Sequence, residues 1–151
     1  MKVVVVSDSH GWNHILNEIC EVHPDADAYL HLGDLQGDPT QFPKYTFVSG
    51  NMDRNIDVYE RVVELGGYRI MMSHSNECNY FNRLYQLADR AKELECQIAL
   101  YGHTHVPHME VVEGIYTFNP GSVSEGRSMM YETYGILYLE ADSIRYEIIS
   151  V

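Results

Sequence analysis

With 151 residues, 45% of them hydrophobic, the chain has the length and apolar content of a single domain, 1–151, with a core of its own. Its formal net charge of -12, from 22 acidic against 10 basic residues, argues against strong nucleic-acid binding or attraction to an anionic membrane. No stretch has the apolar length of a membrane span or signal peptide, and Cys20, Cys78 and Cys96 are odd in number and widely separated, so a cytoplasmic protein with reduced thiols is expected.

Residues 2–7, with four consecutive valines, predict a buried strand. The helical spacing of Ile15, Ile19 and Val22 predicts a short helix over the sheet, capped by Asn13 and ended by Pro24. Residues 28–32 and 45–49 predict two more strands, the second reached through a Gly- and Pro-containing stretch over 33–43. Residues 58–65 and 68–72 flank Gly66-Gly67, the pattern of a tight antiparallel hairpin. The longest helical pattern covers 80–95, where Leu84, Leu87, Ala88, Ala91 and Leu94 form an apolar stripe. A strand at 98–101 follows, then two further hairpins, 109–112 with 115–118 and 135–139 with 144–149. These elements predict an α/β fold, a sandwich of two mixed sheets with flanking helices. The twelve Tyr and four Phe lack an interleaved basic patch and are expected to pack.

Five short runs close most of these strands: Asp8-Ser9-His10, Gly33-Asp34, Gly50-Asn51, Ser73-His74 and Gly102-His103-Thr104-His105. Carboxylates and imidazoles at successive strand ends are what a shared pocket for two divalent ions requires. Residues two apart on an extended segment point the same way, so Asp8 and His10 are expected to converge; His103 and His105 share that spacing. Gly102 would allow close backbone approach. Taken singly, Asp8, Asp34 and Asn51 also suit turns or helix caps. His31 reads as structural, His14 and His23 as helix-surface residues, and Asn119 as a turn residue.

In this order the runs resemble the calcineurin-like metallophosphoesterases, specifically the small bacterial and archaeal phosphodiesterase branch that also contains the retromer metallophosphoesterase-like subunit. Asn119-Pro120-Gly121-Ser122 resembles a turn of the same branch. The resemblance implies a four-layer α-β-β-α sandwich and divalent-metal-dependent hydrolysis of a phosphodiester or phosphomonoester, through a dinuclear centre and a bridging hydroxide. Carried over, Asp8, His10 and His105 would hold one ion, Asn51, His74 and His103 the other, with Asp34 bridging. Manganese is the first choice, and zinc, iron or nickel suit the same donors. The candidate catalytic set is then His10, Asp34, Asn51, Asp53 and His74, with Asp53 orienting a ligand rather than binding metal.

Three departures stand out. Met52 occupies the place of the wider family's proton-donating histidine, and Ser75 and Asn76 replace the later residues of a His-Gly-His run. The phosphate-binding arginine of the family's Gly-Asp-x-Val-Asp-Arg motif is missing after Asp34, which leaves Arg127 and Arg54 as candidate substrate contacts and His108 at the pocket mouth. A small phosphate ester is the expected partner, for a monomer or a homo-oligomer. The alternative is a non-catalytic or weakly catalytic protein-binding scaffold of the same fold.

Overall fold

Side chains of a β-strand alternate between its two faces, so a run of valines can feed two cores at once. In the computed structural model, which describes residues 1–127 and 131–151, β1 (Lys2–Val6) does this. Val3 and Val5 enter the core between two sheets, and Val4 and Val6 a second core beneath a helix. The first sheet has the order β10 (Ser143–Ser150), β9 (Thr133–Glu140), β1, β2 (Ala28–His31), β3 (Tyr45–Phe47). β1, β2 and β3 run parallel, while β9 lies antiparallel between β1 and β10. The second sheet has the order β4 (Glu60–Leu65), β5 (Tyr68–Ser73), β6 (Ile98–Tyr101), β8 (Ile115–Asn119), β7 (His108–Val112). Its three central strands are parallel and its two edges antiparallel.

Leu30, Leu32, Ile70, Met72, Ile98, Leu100 and Phe118 fill the space between the sheets. Helix α1 (His14–Val22) covers the outer face of the first sheet through Leu16, Ile19 and Cys20, and α2 (Arg83–Glu93) covers the second through Leu87, Ala88 and Ala91. The result is the expected α-β-β-α layering of two mixed sheets. Burying a side chain such as Leu16 contributes about 1.5–3 kcal/mol.

Several local expectations need correction. Asn13 stands at the start of α1 in a helical conformation and makes no capping hydrogen bond with its side chain, because a cap acceptor needs an extended backbone to reach the following amides. Val22 points to solvent, since the buried side of α1 runs through Leu16 and Cys20 instead. The second helix starts at Arg83, not at position 80: Asn79 accepts the Phe81 amide on Oδ1 at 3.0 Å, and holds a turn there. Tyr80 and Phe81 on that turn are exposed rather than packed. A short 3-10 helix, Pro39–Gln41, lies in the stretch expected to be loop, with Asp38 as its cap.

Candidate metal centre

The parallel strands place the carboxyl ends of β1, β2, β3, β5 and β6 together, and the loops that follow carry Asp8, His10, Asp34, Asn51, His74, His103 and His105. Asp8 and His10 do converge, but by a different route from an extended chain. β1 ends at Val6, and Asp8 and His10 take left-handed backbone conformations at φ 56° and 45°. Asp34, His103 and His105 do likewise at φ 58°, 74° and 62°. Such conformations turn consecutive side chains inward at a cost that the surrounding contacts must offset.

Asp8 is fully buried and Asp34 and His74 nearly so. Asp8 Oδ1 lies 3.2 Å from His105 Nε2, 3.5 Å from His10 Nε2 and 3.7 Å from His74 Nε2. Asp34 Oδ2 lies 3.2 Å from His74 Nε2 and 3.7 Å from His10 Nε2. Two candidate donor groups result, Asp8 with His10 and His105, and Asp8 with Asp34 and His74. At the exposed side, His103 Nδ1 is 3.2 Å from Asn51 Oδ1, and the His103 and His74 rings meet edge to face.

Hydrogen bonds fix how these groups point. His74 Nδ1 donates to the Leu32 carbonyl at 2.8 Å and His105 Nδ1 to the Glu125 carbonyl at 2.8 Å, which turns each Nε2 toward the carboxylates. His10 Nδ1 is held by Gln36 Oε1. Ser122 and Ser124 donate to the Asp8 carbonyl at 2.7 and 3.0 Å, and Ser7 donates to Asp8 Oδ2. Asp53 binds no candidate donor; its carboxylate accepts the amides of Asp34, Gly50 and Gln36, each at 2.8 Å, and so ties two loops together. Asp53 thus fixes the loop that carries Asp34 against the one that carries Asn51. The Met52 amide donates to Asp34 Oδ1 at 2.9 Å, while its side chain is exposed.

Burial pushes the Asp8 carboxyl up, but His10, His105, His74 and Ser7 outweigh it and hold the group well below the carboxylate range. Asp34 is likewise lowered: burial opposes, and His74 prevails. His10 is raised to about 9, chiefly by Asp8, against burial. Burial lowers His74, yet Asp34 and Asp8 raise it by more. Buried Asp8 Oδ1 and His74 Nε2 have no hydrogen-bond partner among the described residues. An orphaned carboxylate oxygen facing an orphaned imidazole nitrogen is costly unless a cation lies between them, so this donor set fits divalent metal.

Arg127 lines a cleft beside His103, together with His108, which is also the first residue of β7. Arg54 lies apart from it, in a small recess with Gln36 and Met52. Ser75 takes φ 75° at the glycine position of the resemblance, with its hydroxyl donating to the Gly102 carbonyl at 3.3 Å, and Asn76 faces a separate cavity. His31 is internal, its Nε2 3.0 Å from Ser9 Oγ and its Nδ1 accepting the Gly33 amide. Sequence reasoning missed Gln36, which carries no motif, and Arg83, Tyr80 and Phe81, which join the cleft from the first residue of α2 and the turn before it.

Residues 1–142 match the calcineurin-like phosphoesterase superfamily domain. The probable metallophosphoesterase YsnB of Bacillus subtilis is 33% identical over 148 residues, covering 95% of this chain and 87% of that protein. A crystal structure of a predicted phosphoesterase from Streptococcus pneumoniae superposes with a TM-score of 0.90 at 30% identity, covering 99% of this chain and 88% of the other. Vps29 from Entamoeba histolytica, solved in complex with zinc, has a TM-score of 0.75 at 21% identity over 99% and 98% of the two chains, a likeness of fold.

Proposed function

Because this chain belongs to the calcineurin-like phosphoesterase superfamily, we propose that it hydrolyses a phosphate ester, a small phosphodiester before a monoester, at a dinuclear centre. Asp8, His10 and His105 would hold one divalent ion and Asn51, His74 and His103 the other, with Asp34 between them. Manganese is the proposed metal; zinc, iron and nickel compete for the same nitrogen and oxygen donors. Bound ions supply Lewis-acid charge at the phosphoryl oxygens and lower the pKa of an attacking water.

The protein's own part is placement. Leu32 and Glu125 carbonyls lock the His74 and His105 tautomers, and Asp53 holds the loops bearing Asp34 and Asn51 in register. Arg127 is the proposed substrate contact, since it lines the cleft beside His103 and a planar guanidinium matches phosphate oxygens. With Met52 where the resembling family has an acid histidine, no imidazole at that position protonates the departing oxygen. Esters with good leaving groups are therefore favoured.

The single observation that carries the reading is the pair of buried, partnerless atoms, Asp8 Oδ1 and His74 Nε2. The pair speaks for a bound cation, and turnover is what separates an esterase from a metal-holding scaffold of the same fold. The test combines metal counting on purified chain with turnover of a chromogenic phosphodiester under saturating manganese. Expected are two ions per chain and a loss of about 10²-fold or more in rate for Asp34→Asn and His74→Ala, Asp34→Asn being the worse. Equal residual activity in both variants and wild type would remove the site from the reaction.

A further inference from the structure

The cleft beside the metal centre has a volume of about 720 Å³, and its walls include His103, Arg127, Arg83, Tyr80 and Phe81. On a chain of net charge -12 it is locally cationic. Lys2, Arg69, Arg90, Lys92 and Arg145 all have a carboxylate within 2.9 Å. Neither Arg83 nor Arg127 is in an ion pair among the described residues, a state they share with Lys44, Arg54 and Arg61, but Arg83 Nε is in addition buried with no hydrogen-bond partner there. A guanidinium kept free of acids and half-desolvated is poised for an anion that comes from outside.

The second wall is aromatic. Tyr80 and Phe81 are 78% and 88% exposed, with ring centroids 5.1 Å apart and planes near perpendicular. They are fixed there, since the Asn79 amide donates to Gln86 Oε1 at 2.6 Å and Asn79 Oδ1 holds the Phe81 amide. Two large rings displayed on a tied turn give up substantial burial, which a planar ligand would restore by stacking. His108 shares the cleft, its Nε2 3.3 Å from Glu110 Oε1.

We infer that this cleft is a nucleoside monophosphate subsite: the base stacks on the Phe81 ring with Tyr80 against its edge, and its phosphate is received by Arg83 and Arg127. It deepens the phosphoesterase reading, on which it rests, by naming the part of the ester that lies next to the reacting phosphorus. Calorimetric titration of the manganese-loaded full chain tests it, with adenosine monophosphate, ribose 5-phosphate and inorganic phosphate as separate probes. Wild type should bind adenosine monophosphate at least tenfold more tightly than ribose 5-phosphate. Arg83→Gln should weaken adenosine monophosphate and ribose 5-phosphate alike, tenfold or more, because both present the same phosphate to it. Phe81→Ser, at a surface position that folding does not need, should erase the advantage of the base. Equal affinity for the two sugar phosphates in wild type, or no loss in either variant, would overturn the subsite. A chain that discriminates between the probes as described yet hydrolyses no ester with any metal would keep the subsite and lose the phosphoesterase reading.

Discussion

His31 is the fully buried imidazole outside the cluster, and its burial sets a pH dependence. Fully enclosed, its pKa is pushed down to about 3 by loss of solvation, from 6.5 when free. The folded chain thus keeps His31 neutral where the unfolded chain takes up a proton. Its contribution to stability is complete above about pH 6.5 and is lost as pH falls toward 3, by up to about 1.4 kcal/mol per pH unit. Urea unfolding of wild type and His31→Gln at pH 7, 5.5 and 4.5 should show the stability difference shrinking with acid; parallel curves would mean that His31 does not titrate on unfolding. At this scale the sequence was informative about identity and silent about conformation. The run Asp8-Ser9-His10 announced two donors at the end of a strand, but their left-handed backbones are stabilised by partners such as Ser122 and Gln36, which lie far away in the chain and carry no local signal.

Among the elements, the loop after β6 approaches the loop after β1 so closely that only glycine fits at position 102. A Cβ there would lie 2.2 Å from Ser7 Oγ and 2.9 Å from Asp8 Oδ2. Gly102→Ala should therefore displace the Ser7 hydroxyl, cost about 1–3 kcal/mol and weaken manganese binding. Adding Ser7→Ala removes the obstructing oxygen, so the double variant should regain part of the loss, read by urea unfolding as a coupling between the two sites. Strict additivity would place the cost elsewhere. Hairpins were legible because Gly66 and Gly67, both at positive φ, encode their turn locally. Helix ends were not: periodicity carried α2 back over Tyr80 and Phe81, whereas the Asn79 hydrogen bonds decide where it starts. The covered face of α1 depended on which side met Tyr29 and Tyr45, a tertiary fact, and Val22 fell on the other side.

For the molecule as a whole, the four-layer order followed from valine-rich β1 and from amphipathic α1 and α2, patterns that each declare which face is covered. The cationic cleft could not be read, because Arg83 and Arg127 are brought together only by packing. If the buried carboxylates await cations, metal should stabilise the native state by mass action. Manganese at a hundred times its dissociation constant would add about 2.7 kcal/mol per site, seen as a raised melting temperature that a chelator reverses and Asp8→Asn lacks. An unchanged melting temperature with wild type would contradict the fit. The position of β9 between β1 and β10 has one more consequence, for the order in which the protein is made. β1 leaves the ribosome well before β9, yet one of its two hydrogen-bonding edges pairs with residues 135–138, and the Asp8 carbonyl receives its hydroxyl from Ser122. Until translation passes those positions the central strand keeps an open edge and Asp8 lacks its cover, so the candidate metal centre is completed only after β9 is made, and a chain stalled before it would expose a template for mispairing.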